Sequence, residues 1–245
     1  MAPDTTHSSD FDAGTGAGLV NFRDLGGLPT QDGGRTREGV LYRADAPLPG
    51  DPPPAGVTSW PPATVIDLRA DAEMCGPHPL SSRETTVHRF PLLDPPARRD
   101  SVARPARRSL PEIYVQILHE ATREAQAVFE LAAQAPAPLL VHCAGGKDRT
   151  GVLIAMLLRI AGVPDDAVRE DYRRTSAALA AILRRQAPRY RHTDPNLLGT
   201  PDEAVDVVLG TLTAHPGGAA GYLAGHGVRA VAMEAWRARF VWPIR

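Results

Sequence analysis

The chain has 245 residues, and its 27 lysines and arginines against 28 aspartates and glutamates leave a formal net charge of -1. That length supports one substantial hydrophobic core without cross-links, and the charge balance excludes a globally basic nucleic-acid binder. Two cysteines, Cys75 and Cys143, are too few for a disulfide framework and fit a reducing, cytoplasmic setting.

Residues 1–18 mix Asp, Ser, Thr and Gly with neither a basic nor an apolar stretch. A disordered tail is expected there rather than a signal peptide, followed by one domain over 19–245. No run approaches membrane-spanning length, the longest apolar one being Val152 to Leu158. Asn21 to Gly27 gives a turn-rich entry, and Asp32-Gly33-Gly34-Arg35 a hairpin-like turn before Val40-Leu41-Tyr42-Arg43. Together they read as a small antiparallel cap with Arg43 buried and paired. After a proline-dense, exposed connection from Pro47 to Pro62, Ala63 to Arg69 reads as a buried parallel strand. Its end carries Asp67 and Arg69, which either flank a pocket or form a structural ion pair.

Val87 to Asp94 is a further short strand ending in an acid. Beyond it Arg98, Arg99, Arg104, Arg107 and Arg108 face a single acid, Asp100. Such a run is usually a solvated loop; its functional reading is a rim that steers anionic substrates. Pro111 to Gln134 places Ile113, Ile117, Ala121, Ala125, Val128 and Ala132 at three- and four-residue spacing, which predicts a helix packed on the sheet.

The apolar run Leu139-Leu140-Val141 then delivers His142 and Cys143 into a glycine-containing loop, and a second apolar run makes a helix of Gly151 to Ala161, stopped by Gly162 and Pro164. Cys143 therefore lies at a strand end and just ahead of a helix N-terminus, where backbone N–H groups and the helix dipole stabilise a bound anion or a thiolate. Five residues separate Cys143 from Arg149, a loop small enough for the amides from Ala144 onward to wrap one tetrahedral oxyanion. The Arg149 fork closes it by holding two oxygens at once. Gly145 and Gly146 allow the tight turn, and Thr150 is placed to point its hydroxyl at the sulfur. Asp148, standing where a nucleotide-binding loop needs Ser or Thr for magnesium, excludes that alternative. Helices follow over Asp165 to Gln186 and Asp202 to Thr213, and Gly221 through Phe240 closes an α/β fold with a central, mostly parallel sheet.

The motif His142-Cys143-x-x-Gly146-Lys147-Asp148-Arg149-Thr150-Gly151 resembles the signature loop of cysteine-based protein tyrosine phosphatases. Its Lys147-Asp148 pair is similar to the bacterial tyrosine and phosphoinositide phosphatases, mycobacterial ones among them. Asn21-Phe22-Arg23-Asp24-Leu25-Gly26-Gly27, Asp67-Leu68-Arg69 and the C-terminal segment also resemble that family, with two departures. Ala44 stands where the family usually has Ser, and Met74 follows Glu73 where it commonly has Arg.

The resemblance implies a single-domain cysteine-phosphatase fold, no cofactor or metal, and phosphomonoester hydrolysis through a phosphocysteine intermediate. Its partners would be a phosphorylated protein or a phosphoinositide, without nucleic acid or an integral membrane segment. Cys143 is the expected nucleophile; Ala144, Gly145, Gly146, Lys147, Asp148, Arg149 and Thr150 are the expected phosphate-binding residues. Asp148 is the preferred general acid, with Asp94 and Asp67 as alternatives. His142 is expected to orient the loop, and Lys147 is suited to an adjacent phosphate. Cys75 reads either as a small core residue or as a partner for a protective disulfide with Cys143. A rhodanese-like sulfurtransferase and a non-catalytic phosphate-binding module are the competing classes.

Overall fold

The computed structural model describes residues 18–57, 59–93, 108–187 and 195–242. The expected N-terminal tail, apart from residue 18, lies outside these, as do Asp94 and all of the arginine run except Arg108. Five strands form the central sheet: β1 (Arg23–Asp24), β3 (Leu41–Ala44), β4 (Thr64–Asp67), β5 (Thr86–Arg89) and β6 (Leu139–His142). Their order is β1-β3-β6-β4-β5, parallel throughout except for the β1–β3 pair. Every residue of β3, β4 and β6 is buried, as expected of strands covered on both faces by crossover helices. The register sets Ala44, His142 and Asp67 side by side, so the chain leaves all three strands at the same edge. Ligands of parallel sheets bind at that carboxyl edge.

Helices α1 (Leu110–Gln134), α2 (Asp148–Ile160), α3 (Asp165–Arg185), α4 (Asp202–Ala214), α5 (Gly218–Gly225) and α6 (Ala230–Phe240) complete the expected α/β architecture with its mostly parallel central sheet. α1 starts on a capping box in which Ser109 and Glu112 exchange side-chain bonds to each other's backbone N–H, a device that contributes about 1 kcal/mol. α2 is buried without interruption from Thr150 to Leu158, the mark of a helix enclosed on all sides. Truncating one of its fully buried leucines, such as Leu157, costs about 2–5 kcal/mol. Trp236 of α6 donates its indole N–H to the Leu157 carbonyl at 2.9 Å, so α6 is tied to α2 by a bond as well as by packing. The stop at Gly162 is as expected, in a left-handed conformation at φ +85°. α2 begins three residues before the expected Gly151, because Asp148 and Arg149 are charged first-turn residues that interrupt the apolar pattern without interrupting the helix.

The expected antiparallel pairing near the N-terminus is present between β1 and β3, with Arg43 buried and paired, but it is part of the main sheet and not a separate cap. β3 is an interior strand of the main sheet, paired with β6, while β2 (Arg35–Thr36) pairs with β7 (Val241–Trp242) near the far end of the chain. The turn residues were legible, but their partners were set by burial: Leu41 to Ala44 is covered on both faces and has to sit inside a sheet.

Candidate active site

The loop from Cys143 to Arg149 leaves β6 and enters α2 with each of its first five carbonyls hydrogen-bonded, four of them by groups outside the loop and helix and the fifth by the first turn of α2. The Cys143 carbonyl meets His142 Nδ1 at 3.0 Å, and the Ala144 carbonyl accepts from the Ala46 N–H at 2.9 Å. The Gly145 and Gly146 carbonyls accept from Asn21 Nδ2 at 3.0 and 3.1 Å, and Gly146 also accepts from Arg43 Nη2 at 2.8 Å. The Lys147 carbonyl accepts from the Gly151 N–H at 2.8 Å. In a trans peptide the C=O and the following N–H point in opposite directions. Five carbonyls turned outward therefore turn the N–H groups of residues 144–148 to the inner side, where they form a concave row of donors suited to an anion.

The supports themselves form a buried network. Arg23 Nε and Arg43 Nη1 share the two oxygens of Asp171 at 2.6 and 2.5 Å, and the Asp45 carboxylate accepts the backbone N–H groups of Val20 and Asn21, each at 2.9 Å. Arg185 in turn pairs Asp45 at 2.7 Å and also meets Asp51, so every charge of the network has an opposite partner. Burial, and then the Arg43 charge, push the Arg23 pKa down to about 10, still high enough to keep it cationic at neutral pH. Gly146 adopts φ +65°, and a Cβ there would lie 2.1 Å from the Ala44 carbonyl oxygen, so only glycine lets the loop rest on β3.

Arg149, in the first turn of α2, directs Nη1 and Nη2 onto the two carboxylate oxygens of Glu73, the Nη2 contact at 2.8 Å. Glu73 closes a short 3-10 turn, Asp71–Glu73, beyond β4. Burial opposes the Arg149 charge, but the Glu73 bond, followed by the charges of Cys143, Glu73 and Asp148, outweighs it and keeps the guanidinium protonated. With the Nη1–Nη2 edge on Glu73, the Nε–Nη2 edge is the one left to grip two oxygens of a ligand.

Asp148 is partly exposed; its Oδ1 accepts the Tyr114 hydroxyl at 2.9 Å and lies 3.3 Å from Lys147 Nζ. The Tyr114 hydroxyl also meets that of Tyr172 at 2.9 Å. Burial first, and then the Asp148 charge, raise the Tyr114 pKa well above its usual value, so it stays a neutral donor. The buried Thr150 Oγ1 has no bond among the described residues, an orphan hydroxyl on the residue after Arg149.

Other expectations are sorted by contact. The Lys147 ammonium is buried and donates to the Leu197 and Gly199 carbonyls, each at 2.8 Å, so it tethers the segment before α4. Asp67 and Arg69 take the structural alternative, a buried ion pair with contacts of 2.7 to 3.1 Å. Burial alone would raise the Asp67 pKa, but the Arg69 bonds and then the His142 charge hold it down at about 2, which leaves no proton to donate near neutrality. Asp94 lies outside the described residues. Cys75 is an exposed free thiol and Cys143 a buried one.

Asp67, His78 and His142 bring three metal-capable side chains together. Asp67 is already occupied by Arg69, and the two histidines meet each other, Nε2 to Nε2, at 2.9 Å. His78, Tyr114, Tyr172 and Asp171 carried no sequence signal, since each is single and distant from the loop. Glu73 had one, as the glutamate of the family's Glu-Arg pair.

Cys143, the anchored loop and the Glu73-clamped Arg149 thus meet at the carboxyl edge of the central parallel strands, where an α/β enzyme binds its ligand. The chain belongs to the tyrosine phosphatase family, whose family model matches residues 15–242. It is 32% identical over 167 residues to a protein of Cupriavidus necator whose name places it among the tyrosine-protein phosphatases, covering 63% of this chain and 59% of that one. To a tyrosine-protein phosphatase of Nostoc commune it is 43% identical over 65 residues, 26% of this chain and 22% of that one. The matches thus span less than two thirds of either relative's length. No helix among the described residues is long and apolar enough to cross a membrane.

Proposed function

We propose that the chain is a protein-tyrosine phosphatase that works through a phosphocysteine, with residues 19–245 as its catalytic domain. The observation that carries this reading is the outward anchoring of five successive carbonyls around Cys143, which prepares the amide row before any ligand arrives. Cys143 attacks phosphorus as a thiolate and the bond to the ester oxygen breaks. The amides and the Nε–Nη2 edge of Arg149 hold the equatorial oxygens, where charge sits in a loose transition state. Asp148 gives its proton to the departing oxygen. Its Oδ1 is occupied by Tyr114, which leaves Oδ2 for the exchange. Water then attacks the phosphocysteine and returns a proton to Asp148, the S–P bond breaks, and inorganic phosphate leaves. In this reading the Thr150 hydroxyl, which has no bond among the described residues, turns to donate to the departing thiolate.

Phosphorylated protein is the first substrate class. Phosphoinositide hydrolysis is a secondary reading that rests on the family resemblance, because the Lys147 ammonium is engaged with backbone carbonyls and is not offered to a second phosphate. The test is hydrolysis of para-nitrophenyl phosphate without added metal, resistant to EDTA and inhibited by vanadate. Cys143→Ser is expected to lower turnover by at least about 10^4-fold while inorganic phosphate still binds, and mass spectrometry of quenched wild-type enzyme should find phosphate on the Cys143 peptide. Wild-type turnover retained by the serine variant would refute the mechanism. Asp148→Asn is expected to slow aryl phosphates by about 10^2-fold and alkyl ones more, as the poorer leaving group needs its proton more. An unchanged pH profile would remove Asp148 from the role.

A further inference from the structure

Of the five carbonyls that shape the amide row, four are held by groups that only donate: the N–H groups of Ala46 and Gly151, the Asn21 amide nitrogen and the Arg43 guanidinium. The fifth, that of Cys143, depends on an imidazole whose proton has two possible homes. The surroundings remove the choice. The Leu80 N–H donates to His78 Nδ1 at 3.1 Å, so that nitrogen is bare and the His78 proton is on Nε2. His78 Nε2 faces His142 Nε2 at 2.9 Å, so His142 accepts there and carries its own proton on Nδ1. That proton points at the Cys143 carbonyl, which can only accept. A backbone donor starts this chain and a backbone acceptor ends it, with one proton on each ring. A second proton on either ring sets N–H against N–H.

We infer that His78 is a positioning residue for the reaction at Cys143: it fixes the His142 tautomer that holds the Cys143 carbonyl outward and so turns the Ala144 N–H toward the bound phosphate. The catalytic part rests on the phosphatase reading; the proton chain does not. His78 lies between the Asp71–Glu73 turn and β5, almost fully buried, and its ring centroid is 5.1 Å from that of His142. The charged groups near the pair are Asp67, whose Oδ1 is 3.9 Å from His142 Nε2 but is bound by Arg69, together with Arg69 itself and Arg149; the Cys143 thiol follows His142 in the chain. Burial pushes both imidazoles down to about 4, in accord with a neutral pair.

Long-range 1H–15N spectra of the full-length chain between pH 5.5 and 8 should show His78 protonated at Nε2 and His142 at Nδ1, with no titration. His78→Leu strands His142 Nε2 without a donor. It is expected to lower kcat for para-nitrophenyl phosphate about 10-fold with little change in KM, and to weaken inorganic phosphate binding to the Cys143→Ser chain by a similar factor. His78→Gln, whose amide can donate to His142 Nε2, should recover most of both. A wild-type His142 that is cationic at pH 7 or protonated on Nε2 overturns the inference. So does a His78→Leu enzyme with normal kcat, a glutamine variant no better than leucine, or loss of the His78 Nε2 proton signal on adding equimolar zinc. If the wild type hydrolyses no phosphomonoester yet shows the stated tautomers, it is the phosphatase reading that fails, and the phosphate-binding arm still reads the cradle. Should the leucine variant not fold, the wild-type spectrum and the glutamine variant decide.

Discussion

The two halves of the anion cradle are built differently. The amide half is held from the β1–β3 side by buried groups: Asn21, Arg43 and Asp171 are each at most 3% exposed, and they bond to one another or to the loop. The guanidinium half rests on Glu73, whose side chain is 24% exposed, on a turn that contributes no buried residue. Preorganised dipoles are most effective when nothing has to move as charge develops, and the amide half meets that condition through the core of the fold. The arginine half is aimed by one partly exposed carboxylate, with weaker support from the Leu68 and Leu92 carbonyls, each 3.3 Å from Arg149 Nη1. The first is therefore inseparable from stability, whereas the second is separable from it.

Mutations test that separation. Gly146→Ala strikes the buried half: its Cβ meets the Ala44 carbonyl and its φ is left-handed. A loss in kcat/KM of at least about 10^2-fold is expected, together with a fall in stability of about 1–3 kcal/mol, read by denaturant unfolding. Normal stability with normal activity would show that the loop does not rest on β3. Glu73→Gln strikes the exposed half, keeping the shape but removing the charge that faces Arg149. About a 10-fold loss in kcat/KM is expected, with a melting temperature close to that of the wild type. A large drop in melting temperature would show that the two halves are coupled after all.

The dependence of stability on pH also reads the buried half. His78 and His142 have folded pKa values near 4 against an ordinary 6.5, so the unfolded chain binds more protons between those values. Stability is therefore expected to fall as pH drops from 6.5 toward 4. Below about 3.8 the Asp67 carboxylate, held near 2 in the fold, adds its own loss. Thermal melting of the wild type should show this slope, and His78→Gln should show less of it, whereas Glu73→Gln should leave it unchanged.

The reacting loop was legible because its chemistry is contiguous: a thiol, two glycines, an acid and an arginine between one apolar strand and one apolar helix. Asn21 to Gly27 reads locally as a turn-rich entry, and its purpose is visible only where Asn21 reaches the Gly145 and Gly146 carbonyls from more than 120 positions away in the chain. Local patterning also missed that β3 lies inside the main sheet, since a turn announces that the chain reverses but does not say which strand will be its other neighbour.

By itself, then, the amino-acid order determined the elements, the edge of the sheet at which they end and the identity of the groups at the strand-to-helix turn, because periodicity and motif spacing are properties of neighbouring residues. Tertiary structure alone decided which way each group faces: that Glu73 holds Arg149, that Tyr114 holds Asp148, that Lys147 turns to two carbonyls, and that His78 meets His142. Those contacts join residues dozens of positions apart, and a hydrogen bond depends on distance and angle in space, which no local pattern specifies.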